Sequence, residues 1–540
     1  MYIMDRQRDR SVQTDGSEDR VKQYLVTASE MKRYDSNTIN KYQIPSLLLM
    51  ERAALVTVEA LQKNRGNSPC SVLVAAGCGN NGGDGLAAGR LLMLQGYDVT
   101  CVLLGDEEKC TPETARQLVI LREYQAPVFS TIPEHEYDIV IDAIFGIGLS
   151  RPVEGICKEA IEWINRSGAF VCSVDIPSGI HADTGKVMGC AVQADLTVTY
   201  GFYKLGHMLY PGTVYAGKPV CCQMGIDERS FLGEPPVWYT YTGSCNRVLP
   251  DRCPDGNKGT FGKTLIMAGS KEIAGAAMMA AKSALRAGAG MVKTVTAAEN
   301  RIVLQQYVPE AMVLTYDNSG VTGEKSRQAL REAEQWADCI LAGPGMGMGL
   351  QAQALLRFAL TESRLPLVLD ADALTLLAQD QELQEILADQ GIRGRTVILT
   401  PHPGEFARLY GCTVQQLKEH ITEYPGELSR RLHCVIVCKD ARTIVVWPGQ
   451  AGGYLNVTGN SGMATAGSGD VLAGMIAGLL AQGMKGEEAS AAGVYLHGTA
   501  GDLAAAQWSE TAMTASDIIE RIGTAVLLQD RTEKGLEREA

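Results

Sequence analysis

The sequence predicts an α/β protein made of two successive domains, and three observations carry that prediction. Short, uninterrupted apolar runs rich in β-branched residues alternate with longer segments of helical spacing. The alternation comes as two separate series, divided by a stretch of proline, glycine and isolated aromatics. The 540 residues also exceed what one hydrophobic core organises, since cores stop growing near roughly 250–300 residues.

In chain order, residues 1–20 are densely charged with both signs and are expected to form a flexible N-terminal tail. The first domain is expected over residues 21–230. Its strands read as "SVLVAAG", "YDVTCVLLG", "DIVIDAIFG", "FVCSVDIPSG" and "ADLTVTYGF", with helices such as "GLAAGRLLMLQG" and "EGICKEAIEWINRSG" between them. Runs apolar throughout imply strands covered on both faces, hence a mainly parallel, Rossmann-like sheet. The alternation breaks over Glu228–Gly259, as at a domain junction. The second domain, residues 240–530, resumes with "KTLIMAG", "MVKTVTA", "DCILAGPG", "LPLVLDAD", "RTVILTPH", "CVIVCKD" and "RTIVVWPG" as strands. "GAAMMAAKSALRAGAG" and "GDVLAGMIAGLLAQG" are among its helices.

Composition narrows the function. A net charge of −13 opposes a general electrostatic grip on nucleic acid or an anionic membrane, so any phosphate must be held locally, by backbone amides at helix starts. The 15 cysteines are odd in number and show no CxxC pair, which favours free buried thiols over disulfides or zinc. The longest apolar run, Val471–Ala481, is too short to span a bilayer. A cytoplasmic enzyme with small-molecule ligands is expected.

In the first series, "AGCGNNGGDG" follows a strand and precedes a helix, and Gly77, Gly79 and Gly82 satisfy GxGxxG. Such glycines also arise where only a tight turn and close packing are needed. Two further strand ends, "IDAIFGIGLSRP" with Asp142 and "VDIPSG" with Asp175 and Ser178, fall on the side of the sheet where ligands collect. No GxxxxGK[ST] is present near residue 80, so the loop should hold phosphate or ribose without transferring phosphate. Oxygens of Asn81, Asp142 and Ser178 could surround a hard cation. Either aspartate could instead cap the next helix.

In the second series, "NVTGNSGMATAGSGDVLAG" places small residues ahead of Asp470 and an apolar helix behind it. Amides of Gly467–Gly469 would face an anion beside a carboxylate base, an arrangement suited to phosphoryl transfer to an alcohol; a plain helix cap is the alternative. "GPGMGMG", "LDADAL" with Asp370 and Asp372, "TPHPGE" with His402 and Glu405, and "CKDART" with Lys439 end further strands. His402 is equally open to a structural role, and Lys439 to a solvated one.

"GCGNNGGDG", "DAIFGIGLSRP" and "VDIPSG", with "LVTASEM" and "YGFYKLGHMLYPG" at the two ends, resemble the epimerase domain of the bifunctional NAD(P)H-hydrate repair enzymes over Tyr24–Asp227. The resemblance implies that Asn80, Asn81, Gly82, Gly83 and Asp84, with Gly146, Ile147, Gly148, Leu149, Ser150, Arg151 and Pro152, contact the hydrated dinucleotide. It implies that Asp175 touches it too, and that Asn81, Asp142 and Ser178 ligate potassium. Inverting the hydrated ring carbon needs proton handling, which we assign to Asp175.

"GSKEIAGAAMMAAKSALRAGAG", "GPGMG", "LDADAL", "TPHPGE", "CKDART" and "GNSGMATAGSGDVLAG" are similar, in order, to the ADP-dependent NAD(P)H-hydrate dehydratase domain, a ribokinase-like fold, over Val248–Gln529. That implies Ala276, Gly345 and His402 along the dinucleotide pocket, and Lys439, Asp440, Ala441, Arg442, Thr443 and Gly469 around the AMP moiety. Asp470 would act on the reacting hydroxyl, and Mg2+ would offset charge on ADP. Asp440 stands where the family often has glycine. The implied reactions are interconversion of the R and S forms of NADHX or NADPHX and ADP-driven dehydration of the S form, with a homo-oligomer expected. The rival reading is a ribokinase-like kinase for a vitamin or sugar, with a regulatory dinucleotide-binding domain.

Overall fold

A computed structural model describes residues 22–242, 249–316, 321 and 323–536. The tail expected over residues 1–20 lies outside them. Two sheets form among the described residues. The first runs edge to edge as Val128–Phe129, Asp98–Leu103, Ser71–Ala76, Ile139–Ala143, Phe170–Val174, Leu196–Tyr200 and Lys218–Cys222, every neighbouring pair parallel. Its inner strands are buried nearly throughout, as their unbroken apolar sequences require. Helices Ser46–Arg65 and Asn80–Leu94 pack with one face, and helix Gly155–Arg166 with the other.

The second sheet begins with seven parallel strands ordered Met312–Tyr316, Met291–Ala297, Lys263–Met267, Cys339–Ala342, Leu367–Leu369, Val397–Leu399 and Val435–Cys438. Ile444–Val446 and Tyr454–Leu455 continue it antiparallel. All seven strands expected in this half are present. The apolar run near residue 471 is a buried core helix, Ser468–Ala481, lying against helix Gly275–Arg286. Their axes approach closely because Gly474 lacks a side chain: a Cβ there would sit 2.1 Å from Ser283 Oγ and 2.3 Å from Ala280 O.

The junction differs from expectation. Trp238–Tyr241 is a strand, parallel to Tyr454–Leu455 on one side and antiparallel to Lys22–Val26 on the other. Tyr203–Lys204 then pairs with Leu25 and Val26. Alternating aromatic and β-branched residues suit "WYTY" to a pleated surface, and Trp238, Thr240 and Tyr241 are buried there. Segments from the first half of the chain thus extend the second sheet, and Leu25, Leu205 and Leu209 share a core with Ile444, Val446 and Leu455.

No helix among the described residues is long and apolar enough to cross a membrane. The described cysteines are free thiols.

Candidate active sites

The first site lies at the carboxyl ends of the first sheet. A cavity of about 640 Å³ is lined by Asn80, Asn81 and Asp84, by Gly146, Ile147, Gly148, Leu149, Ser150 and Arg151, and by Asp175. Three separate strand ends converge there, as the motif order implied. Gly82, Gly83 and Pro152 are not in the lining: the two glycines are buried on the inner face of helix Asn80–Leu94, and their amides donate to Gly79 O. An anion at this helix start is left the amides of Asn80 and Asn81.

Asp142 and Ser178 form a layer beneath. The Asp142 carboxylate accepts from Ser173 Oγ at 2.7 Å and Ser178 N at 2.9 Å, while Ser178 Oγ accepts from Phe145 N at 2.8 Å. Asp142 therefore ties two strand ends together and caps no helix. Asn81 Nδ2 is buried with no hydrogen-bond partner, and a Cβ on Gly146 would lie 3.1 Å from Asn81 Oδ1.

Asp175 ends strand Phe170–Val174 with φ +65°, a left-handed backbone that a non-glycine residue adopts only at a cost of about 1–3 kcal/mol. The strained residue is held by a group the motif reading passed over. Lys204, fully buried, forms an ion pair with Asp175 Oδ1 and donates to Thr199 Oγ1 at 2.8 Å. Thr199 Oγ1 donates to the same carboxylate at 3.1 Å, and His207 Nε2 meets Asp175 O at 2.9 Å. Burial, aided by the neighbouring Lys204 charge, pushes the His207 imidazole down to about 4, so it stays neutral. Burial and then the Asp175 and Asp35 carboxylates push Asp84 well above the usual carboxylate range. Lys204 and His207 sit in "YKLGHM"; a lysine between a strand end and a glycine was the available signal.

The second site is built on the first turn of helix Ser468–Ala481. Its N-cap is Gly467 at φ +91°, where a Cβ would also strike Met279 Cε at 2.4 Å, and no side chain caps it. The carboxylate of Asp470 is thereby free of a capping role. Ser468 N donates to Thr465 O at 3.3 Å, which leaves the amides of Gly467, Gly469 and Asp470 at the positive end of the helix dipole. Burial, reinforced by Asp370 and moderated by Lys439, raises Asp470 to about 7.

Lys439 Nζ donates to Asp370 Oδ1 at 2.7 Å, as does Thr400 Oγ1 at 2.7 Å. Between Asp370 and Asp372, Ala371 is at φ +49°, a second strained residue at a strand end. Asp372 Oδ2 accepts from Gly347 N at 2.7 Å, tying "GPGMGMG" to "LDADAL". A Cβ on Gly345 would lie 2.9 Å from Ala276 Cβ, so these two positions adjoin.

A cavity of about 660 Å³ opens beside this turn, lined by His402, Lys439, Asp440, Ala441, Arg442, Thr443 and Gly469; Ala276, Gly345 and Asp470 are not in its lining. His402 also has the structural role left open for it: its Nδ1 accepts from Gly404 N at 3.0 Å, capping helix Pro403–Tyr410, and its own amide donates to Glu405 Oε2 at 2.8 Å. A Cβ on Gly469 would be 3.3 Å from Lys439 Nζ.

Comparison with known proteins agrees with this division. Residues 264–524 match the family model described as NAD(P)H-hydrate dehydratase, and residues 46–206 match the YjeF-related protein N-terminus. A bifunctional NAD(P)H-hydrate repair enzyme of Moorella thermoacetica is 37% identical over 92% of this chain and 95% of its own length. That of Escherichia coli is 33% identical over 83% of this chain and 84% of its own. Among solved structures, the ADP/ATP-dependent NAD(P)H-hydrate dehydratase of Bacillus subtilis, co-crystallised with ATP and Mg2+, is 30% identical, with TM-score 0.44, over 53% of this chain and 96% of its own. With its two halves matched in order and nearly its whole length aligned, the chain belongs to the family of bifunctional NAD(P)H-hydrate repair enzymes.

Proposed function

We propose that the first site epimerises hydrated NADH or NADPH and that the second dehydrates the S form with ADP, giving AMP, phosphate and the reduced dinucleotide. The observation that carries this reading is the base at the amide cluster: a carboxylate raised to about 7, one residue after Gly469, on a helix start with unused donors.

In the second site Asp470 takes the proton of the ring hydroxyl as that oxygen attacks the terminal phosphorus of ADP and the bond to the bridging oxygen breaks, releasing AMP. Amides of Gly467, Gly469 and Asp470 stabilise the charge on the transferred group. The phosphate ester then leaves as phosphate, drawn out by the ring nitrogen's electron pair, and loss of a proton from the neighbouring ring carbon to water restores the ring C=C bond of the reduced dinucleotide; hydroxide in place of phosphate would leave poorly. Lys439, held on Asp370, adds positive charge beside Gly469. Mg2+ would offset charge on the phosphates of the nucleotide.

In the first site Asp175, fixed by Lys204, faces the ring, and Asp84, whose carboxyl is raised well above the usual range by burial and then by the Asp175 and Asp35 charges, is the complementary proton donor. The hydroxyl leaves and returns on the opposite face, or the ring opens and recloses, with protons exchanged between these groups. Oxygens of Asn81, Asp142 and Ser178, two neutral and one carboxylate, would hold a weakly charged cation such as K+. Such a cation would rigidify the strand ends that hold the dinucleotide phosphates. Self-association into a homo-oligomer belongs to the same reading and is measured by sedimentation.

The test is to incubate the chain with a mixture of NADHX epimers, ADP and Mg2+. Absorbance of the reduced ring returns completely, with one AMP and one phosphate per ring. Recovery without AMP, or a stable phosphorylated product, overturns the mechanism.

A further inference from the structure

We propose that Tyr210, a residue of the epimerase half of the chain, completes the nucleotide pocket of the dehydratase half, its ring forming the surface on which the adenine of ADP stacks. The inference rests on the second cavity being the nucleotide site.

Tyr210 lies six residues after Lys204 and is 52% exposed, yet it lines the same cavity as Lys439–Thr443. Its neighbours hold it there. Leu205 and Leu209 are buried in the second domain's core with Ile444 and Leu455, which fixes both ends of the short turn between them. Arg442 Nε donates to Met208 O at 3.0 Å and its Nη1 to Val457 O at 3.0 Å. One guanidinium thus joins the epimerase segment to the cavity wall, and its Cζ lies 5.4 Å from the Tyr210 ring centroid.

The chemistry of the remaining wall points to what the ring is for. The cavity offers charge and an amide for phosphates through Lys439 and Gly469, and hydroxyl and amide groups through Thr443, Asn456 and Asn460. A purine needs a flat, polarisable face as well. Tyr210 is the one tyrosine, phenylalanine or tryptophan among the residues lining the cavity. Arg442 beside it is itself a planar cation that favours an aromatic neighbour. A half-exposed aromatic ring, braced by an arginine with two backbone acceptors, is a surface prepared for a second ring.

Titration calorimetry of the full-length chain with Mg–ADP, without hydrate, tests the assignment on Tyr210→Ala, Tyr210→Leu and Tyr210→Phe. Loss of one base stack predicts a Kd about tenfold weaker for the alanine and leucine variants. The phenylalanine variant stays within about twofold of wild type, because the ring and not its hydroxyl is used. Pyrophosphate, which has no base, should bind all four proteins alike. In turnover, KM for ADP rises with the Kd while kcat at saturating ADP changes by less than about twofold. Leucine preserves apolar packing if alanine fails to fold. Unchanged Mg–ADP affinity in the leucine variant, or equal weakening of pyrophosphate, overturns the role of Tyr210 alone. A wild-type chain that binds no Mg–ADP overturns the nucleotide reading itself.

Discussion

Replacing Asp470 by asparagine separates the work of this residue from its cost. A carboxyl group of ordinary value 3.8 that titrates at about 7 in the folded chain opposes folding above pH 3.8. The sign follows from proton binding: between pH 3.8 and about 7 the folded state holds the proton that the unfolded state has released, so stability falls as pH rises and levels off above 7. At about 1.36 kcal/mol per pH unit the full cost at pH 8 approaches about 4 kcal/mol, a ceiling because water and side chains relax around the charge. At pH 5.5 roughly half of it applies. Asp470→Asn keeps the shape and removes the charge, so the dehydratase domain should unfold several degrees higher than wild type at pH 8, with the advantage about halved at pH 5.5. Dehydration should fall by about 10²–10⁴, the usual worth of a positioned base. Epimerisation should be unchanged. Differential scanning calorimetry at the two pH values, with both activities assayed, reads all three. A variant less stable than wild type at pH 8, or one that retains dehydration, would mean that Asp470 is neither a buried charge nor the base.

Other consequences follow from the same geometry. Dehydration by the wild-type enzyme should have an acid limb near pH 7, the rate rising as Asp470 loses its proton, and kcat measured against pH at saturating ADP should show it. Lys204→Met leaves Asp175 buried beside an apolar side chain; epimerisation should be lost, and the first domain should weaken by about 3–5 kcal/mol, seen by urea unfolding, with dehydration of pure S form spared. Asp142→Ala removes the acceptor for Ser173 and Ser178, so epimer interconversion followed by chromatography should fall steeply and lose any dependence on K+, again without affecting dehydration.

Most of the architecture was legible because parallel strands covered on both faces leave short unbroken apolar runs, whereas the longest such run, Val471–Ala481, is a buried helix. The segments that knit the halves together were not. Lys22–Val26 and Tyr203–Lys204 are short, and their pairing partners are distant in the chain, so no local period announces them. Glycine-rich motifs marked the strand ends, yet they mixed two kinds of residue. Asn80 and Asn81 face the cavity, whereas Gly82 and Gly83 pack inward, a distinction only helix phase decides. Lys204 was missed for a related reason: its partner Asp175 is 29 residues away, and burial without water is what makes a lysine significant. For Asp470 the sequence weighed a base against a helix cap, and the N-cap position is taken by Gly467 with no side-chain cap.

Pure R-form NADHX supplied with ADP and Mg2+ must pass through both sites before reduced-ring absorbance returns. The full chain should recover it completely, Asp175→Asn should stall until S-form substrate is added, and Asp470→Asn should recover neither form. Recovery from the R form by Asp175→Asn at the wild-type rate, or from the S form by Asp470→Asn, would contradict it.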